Sequence, residues 1–187
     1  MIRVAIVDDH PAVRIGLETA VHSEWGLISV GTADQAEDVP ALLYSTQPDV
    51  VLLDYRLPRH DGLSVCLTIK ADAPAPAVVL YSAYADASLV VPAIVAGADG
   101  IVHKGAPARD LFGAIRTVAA GGSALPAVSG DLLNLAAAAV DPADLPILGM
   151  LVNRTPRRDI ADTLHISTGT LRERVADMLR RLKLPQT

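Results

Sequence analysis

The chain has 187 residues, of which 51% are hydrophobic, 20% charged and 3% aromatic, with one cysteine and a net charge of −5. That composition excludes wholesale disorder and a fibrous repeat, and the length accommodates one or two domains with a sizeable core. No stretch reaches the ~18–20 unbroken apolar residues that a membrane helix needs. The strongest candidate, 78–102, is broken by Asp86, Pro92 and Asp99, and Asp8 and Asp9 end the first apolar run after four residues, so neither a span nor a signal peptide is expected. The lone Cys66 makes no internal disulfide or cysteine-based zinc site, which fits a reducing cytoplasm.

Through the first 120 residues, short β-rich apolar runs alternate with segments of helical period. Strands are predicted at about 3–7, 28–31, 50–53, 78–81 and 100–102, and helices at about 12–22, 35–46, 63–71, 87–96 and 108–120. Five strands, each followed by a helix, imply an α/β fold, a parallel sheet with helices on both faces; if it is doubly wound in the flavodoxin-like way, its order is 2-1-3-4-5. Gly121 and Gly122 supply a helix stop, and 123–130 is rich in small residues and Pro. Residues 131–140, with Asp131 as N-cap and four consecutive alanines, read as a linker helix.

From 140 onward only short helices are expected, at 142–152, 156–164 and 168–182. The last places Leu171, Val175, Met178, Leu179 and Leu182 on one stripe, with Arg172, Glu173, Arg174, Arg180 and Arg181 largely off it. The three-residue break His165-Ile166-Ser167 before it has helix-turn-helix spacing. This divides the chain into a domain over 1–120, a linker over 121–139 and a small all-α domain over 140–187. Charge follows the division: 1–122 carry a net −6, whereas 150–187 carry +4. All six aromatic residues lie in the acidic part, so the basic tail has no stacking platform for single strands and points to duplex DNA.

Three carboxylates stand out by position. Asp8 and Asp9 follow the first strand and Asp54 follows the third, and with order 2-1-3-4-5 they converge beyond the carboxyl ends of neighbouring strands. Ser82 ends the fourth strand and Lys104 follows the fifth, adding a hydroxyl and a cation to the same rim. Three clustered carboxylates need a counter-charge, and Mg²⁺ suits carboxylates, waters and a phosphate. The set is equipped for phosphoryl transfer to Asp54, with Lys104 neutralising transferring oxygens, Ser82 bonding the product phosphate and Ala83 leaving room for it.

These residues resemble the NarL/LuxR-type (FixJ-like) two-component response regulators. The resemblance rests on Asp8-Asp9-His10-Pro11 with Arg14, Gly16 and Leu17; on Leu53-Asp54 through Pro58, Asp61 and Gly62; and on Ala96-Gly97-Ala98, Gly100 and Lys104. It implies that Asp54 is the phosphoacceptor, loaded by a cognate histidine kinase. It further implies Mg²⁺ held by Asp9, Asp54, the backbone carbonyl of Arg56 and, through water, Asp8. One position departs from the family: three residues before the Lys, where Tyr or Phe usually relays the switch, stands Ile101.

Residues 141–172 are similar to the family's DNA-binding domain. The family pattern puts base readers at Arg172, Glu173 and Ala176, and Arg174, in place of a usual His, joins the DNA-binding candidates. Arg157, Arg158, Ser167, Thr168, Thr170, Arg180 and Arg181 are the phosphate-contact candidates. Gly169 weakens the first turn of the recognition helix by about 1 kcal/mol relative to Ala. The chain reaches Leu184-Pro185-Gln186-Thr187 without residues for the family's fourth helix, so a homodimer is expected to form through the receiver or the 131–140 helix.

The implied function is transcriptional control by a receiver that catalyses its own phosphorylation and hydrolysis, and no reaction on a separate substrate. Two other readings compete. One is an atypical receiver acting through protein–protein interaction, with little phosphorylation-dependent DNA binding. The other is an aspartyl-phosphate phosphatase, which would need an acid where Arg56 stands. No dinucleotide-binding or P-loop glycine pattern is present.

Overall fold

The computed structural model describes residues 1–71 and 74–183. The described residues divide into two compact units, one within 1–85 and 98–125 and the other within 86–97 and 126–183.

The first unit is built on a parallel sheet of β1 (Ile2–Val7), β2 (Leu27–Ala33), β3 (Val50–Asp54), β6 (Ala77–Ser82) and β7 (Gly100–His103), in the order β2-β1-β3-β6-β7. Counting these five strands alone, that is the expected 2-1-3-4-5. Between β3 and β6 lies a small antiparallel hairpin, β4 (Arg56–Leu57) and β5 (His60–Asp61), which the sequence pattern had not indicated. Parallel strands covered on both faces read as continuous apolar runs. Here Val4 to Val7 and Val50 to Leu53 are buried without a break.

Strand alternation separates the two faces. Val4, Ile6, Val50, Leu52, Val79 and Val102 join Leu17 and Val21 of α1 (Pro11–Ser23) and Leu111, Ile115 and Val118 of α5 (Ala108–Ala119) in one core cluster. Ala5, Val7, Val51, Leu53, Val78 and Leu80 alternate with them and are equally buried. The helix expected over 35–46 is a 3₁₀ turn, η1 (Ala36–Asp38), running into α2 (Val39–Thr46), and α3 spans Gly62–Ile69. After α5, Gly121 takes the left-handed conformation, with φ 81°. The chain then returns to the sheet, where Ala124 donates to Asp99 O and accepts from Ile101 N. The start of the expected linker thus pairs with the edge strand.

The second unit is entirely helical. It contains η2 (Ala87–Leu89), α4 (Val90–Ala96), α6 (Gly130–Ala139), η3 (Pro142–Asp144), α7 (Leu145–Val152), α8 (Arg157–Leu164) and α9 (Thr168–Leu182). The stripe read from the sequence is the buried face of α9: Leu171, Val175, Met178, Leu179 and Leu182, enclosed with Ile147, Leu148, Leu151 and Ile160. The α8–α9 turn has clear local causes. His165 adopts a left-handed φ of 53°, Ile166 N donates to Ala161 O at 3.0 Å, and Ser167 caps α9 by accepting from Thr170 N at 3.0 Å. Residues 184–187, on which the expectation about a fourth helix falls, lie outside the described residues.

Candidate functional site

The carboxyl ends of β1 and β3 are adjacent because β1 pairs with β3, Val7 lying opposite Leu53. The next residue on each strand is an aspartate, so Asp8 and Asp54 are brought together at one rim. Both are deeply buried, at 1% and 4% exposure. On the other side of β3, Asp54 pairs with Tyr81 of β6, and Ser82 of β6 pairs with His103 of β7, which places Ser82 and Lys104 at the same end of the sheet.

Lys104 is the electrostatic centre of the site. Its Nζ donates to Asp8 Oδ2 and to Asp54 Oδ2, each at 2.7 Å. Asp8 Oδ1 accepts from His10 N at 2.8 Å, and Asp54 Oδ1 accepts from Arg56 N at 3.3 Å. Burial holds the Asp54 carboxyl above its ordinary pKa; the Lys104 hydrogen bond opposes this and the Asp8 charge adds to it. Burial acts to lower Lys104, but the hydrogen bonds and charges of Asp54 and Asp8 together outweigh it, and its pKa lies above the usual lysine value. Burial likewise raises Tyr81, whose hydroxyl donates to Lys104 O at 3.3 Å.

Asp8, Asp9, His10 and Asp54 each offer a ligand atom, all within 4.8 Å of one another. Three carboxylates against one lysine leave the pocket two negative charges in excess, the deficit that a divalent cation fills. Asp9 Oδ1 is buried without a hydrogen bond; His10 Nδ1 approaches it to 2.8 Å outside hydrogen-bond geometry. A hard oxygen donor set with one acceptor to spare fits Mg²⁺. In the sequence His10 stands out only as part of a motif, and its Nδ1 is the feature of this cluster that strand-end logic does not reveal.

The loop after Asp54 is shaped by backbone contact. Asp61 caps α3 by accepting from Ser64 N at 2.9 Å, and Gly62 N donates to Tyr55 O at 2.7 Å. A Cβ on Gly62 would stand 2.2 Å from Asp54 O, so only glycine allows this approach. Above the pocket, Ser82 is 1% exposed and its Oγ accepts from Tyr84 N at 3.0 Å. Ala83 is exposed and its carbonyl meets His103 Nε2 at 3.0 Å, while Gly105 N donates to His103 Nδ1 at 2.9 Å. The Arg56 guanidinium lies 3.9 Å from the centre of the Tyr84 ring. Ile101, where the family usually carries an aromatic, is half-buried and pairs with Leu80.

In the helical unit, Arg158, Ser167, Thr168, Thr170, Arg172, Glu173, Arg180 and Arg181 are exposed. Arg172, Glu173 and Ala176 share one side of α9 at helical spacing. Ser167 is engaged as the cap of α9, and Arg180 pairs with Asp177 one turn earlier. Two arginines of the predicted set are differently placed. Arg174 donates through Nε to the buried Asp144 at 2.6 Å and through a terminal nitrogen to Ala143 O. Arg157 donates to Val95 O at 2.8 Å.

The profile of the response regulator receiver domain matches residues 4–116. Over 97% of its length the chain is 30% identical to the DNA-binding transcriptional activator DevR/DosR of Mycobacterium tuberculosis, covering 88% of that protein. It is 29% identical to the nitrate/nitrite response regulator NarL of Escherichia coli, with 97% and 89% of the two chains covered. Among solved structures, a LuxR-family two-component response regulator from Aurantimonas sp. SI85-9A1 superposes with a TM-score of 0.64 at 29% identity, over 72% of this chain and 94% of that one. Among the described residues, no helix is long and apolar enough to cross a membrane. The chain therefore belongs to the NarL/LuxR-type two-component response regulators, which join a receiver to a helix-turn-helix.

Proposed function

We propose that the chain is a DNA-binding response regulator in which Asp54 is the phosphoacceptor, residues 1–120 form the receiver, 121–139 the linker and 140–187 the DNA-reading domain. The observation that carries this is the double hydrogen bond of Lys104 to Asp8 and Asp54 at the joined ends of β1 and β3. A buried carboxylate needs a cation to stay ionised and nucleophilic, and Lys104 is held charged by the two acids it bridges.

The donor is a phosphohistidine of a cognate kinase. An Asp54 carboxylate oxygen forms the new P–O bond as the P–N bond of the donor breaks. Lys104 then faces the phosphoryl oxygens, Ser82 offers its hydroxyl, and Ala83 keeps the approach open. Asp9, Asp54 and the Arg56 carbonyl, with Asp8 through water, would hold Mg²⁺, which when bound neutralises charge on the transferring oxygens. The products are an acyl phosphate on Asp54 and the freed histidine.

Phosphorylation favours a homodimer, so that two α9 helices engage duplex half-sites. Arg172 and Glu173 are the base readers, and Arg158, Ser167, Thr168, Thr170, Arg180 and Arg181 hold phosphates. Kinship over nearly the whole chain with a DNA-binding activator supports this assignment. Ile101 favours a second reading, in which the receiver works through a protein partner. Fluorescence anisotropy of duplex DNA against salt, with and without beryllofluoride and Mg²⁺, separates the two. Salt-dependent binding that tightens with beryllofluoride and is lost in Arg172→Ala supports DNA control; no binding of any duplex at low salt favours the protein partner.

A further inference from the structure

β6 and β7 run parallel until Ser82 stands opposite His103, and Lys104 N then donates to Ser82 O at 2.9 Å. Past that rung, no main-chain hydrogen bond among the described residues joins the two chains. They continue into separate loops, and each loop begins at the acidic pocket. Ser82 and Ala83 stand on one side and Lys104 on the other.

The His103 side chain supplies the next tie. Gly105 N donates to its Nδ1 at 2.9 Å, so that nitrogen is an acceptor and carries no proton. The ring proton is therefore on Nε2, which donates to Ala83 O at 3.0 Å. One neutral tautomer makes both bonds. The other tautomer can make neither, and the imidazolium loses the Gly105 bond. Gly105 is fitted to the ring as well: a Cβ there would stand 3.0 Å from His103 Nδ1 and 3.2 Å from Cε1. Its backbone is not left-handed, so what favours glycine here is the closeness of the ring.

Both peptide groups around Lys104 are tied to β6, through Ser82 O and through the Tyr81 hydroxyl, which donates to Lys104 O at 3.3 Å. The hydrogen-bonded path from Ala83 to this loop runs through the imidazole.

We propose that His103 is a positioning residue for phosphoryl transfer to Asp54, its neutral ring setting the gap between the Ser82–Ala83 turn and the Lys104 loop. The proposal rests on Asp54 being the phosphoacceptor. The two hydrogen bonds of the ring go to Ala83 and Gly105 and not to the pocket acids, so His103 acts by placement. Transferring oxygens must meet Lys104 Nζ and the Ser82 hydroxyl together, and a misplacement of about 1 Å costs up to ~100-fold in rate.

The test is labelling of the full chain by acetyl phosphate with Mg²⁺, followed by intact mass over a range of donor concentrations. His103→Gln sets an amide nitrogen near the place of Nε2 and keeps a donor for Ala83 O. His103→Asn keeps an acceptor for Gly105 N but is too short to reach Ala83. Placement predicts that Gln labels close to the wild-type rate. Asn and His103→Ala fall roughly tenfold at saturating donor, with the half-saturating concentration unchanged, as when an interaction used only in the transition state is lost. Gly105→Ala, which displaces the ring, slows the wild type but adds nothing in the His103→Ala background. Thermal melts of all variants stay with the wild type, and ¹⁵N spectra at about pH 8 find the His103 proton on Nε2.

A proton on Nδ1, a Gln variant as slow as Ala, or equal slowing by Gly105→Ala in both backgrounds overturns the proposal. So do rates that fall only as far as the melts do. In each of these cases the wild type still labels on Asp54 and the phosphoacceptor reading stands. A wild type that takes no phosphoryl group with Mg²⁺ present overturns that reading and the role of His103 with it.

Discussion

Replacing Gly62 by alanine probes how closely the phosphoacceptor loop is packed. The new methyl group would stand 2.2 Å from Asp54 O and 2.8 Å from Tyr55 Cα. Both are main-chain atoms that no rotamer change can move, and an ordinary carbon–oxygen contact is about 3.3 Å. The backbone must yield by roughly 1 Å, at the upper end of the ~1–3 kcal/mol that overpacking costs. At ~2–4 °C per kcal/mol for a chain of this size, the Tm falls by ~6–12 °C. Gly16, in the middle of α1 with nothing within 4 Å of its would-be Cβ, is the matched control. Gly16→Ala gains up to ~1 kcal/mol of helix propensity and raises the Tm by ~2–4 °C. Because displacement of Asp54 disturbs the attacking oxygen, Gly62→Ala also slows phosphorylation by acetyl phosphate at least ~tenfold. Thermal melts and intact-mass time courses of the two variants read out both effects. A Gly62→Ala protein that melts with the wild type and labels at its rate would mean that the loop is not packed against Asp54 O as closely as the structure has it.

Three further outcomes follow from the pocket and the helical unit. Burial raises the Asp54 pKa, so the ionised form costs stability above the unfolded carboxylate pKa. Asp54→Asn is therefore more stable than the wild type at pH 7 without Mg²⁺, by on the order of 1 kcal/mol, and the gap closes as acid protonates Asp54; urea melts against pH check this. Lys104, whose folded pKa is raised, contributes stability that is complete below the ordinary lysine pKa and is lost only as pH rises through the folded value. Lys104→Met strands two buried carboxylates and costs about 3 kcal/mol at pH 7 in the same urea melts, partly recovered by added Mg²⁺. In the helical unit, Arg174→Ala leaves the buried Asp144 unpaired and destabilises by about 3 kcal/mol, whereas Arg172→Ala changes stability by less than ~0.5 kcal/mol and weakens duplex binding. Equal melts for the two arginine variants would contradict that division.

The sheet was legible because each parallel strand is a short apolar run ending in a polar residue, and strand order then brings Asp8, Asp54, Ser82 and Lys104 to one rim. The hairpin over 56–61 was not, since two-residue strands are too short to show a period. Nor could spacing separate Arg172 from Arg174. Both lie off the apolar stripe of α9, and Asp144, which claims one of them, is thirty residues away in the chain. The apolar run of α4 was visible, but helical period reports that a face is buried and not what buries it. That the run packs with α7 and α9 is a tertiary fact, and the charge and composition boundary near 120 points away from it.

Intact mass after incubation with acetyl phosphate and Mg²⁺, for the wild type and Asp54→Asn side by side, tests the central claim most directly. A single phosphoryl adduct is expected on the wild type, absent from Asp54→Asn and from Mg²⁺-free samples. An unmodified wild type with Mg²⁺ present, or equal labelling of both proteins, would contradict it.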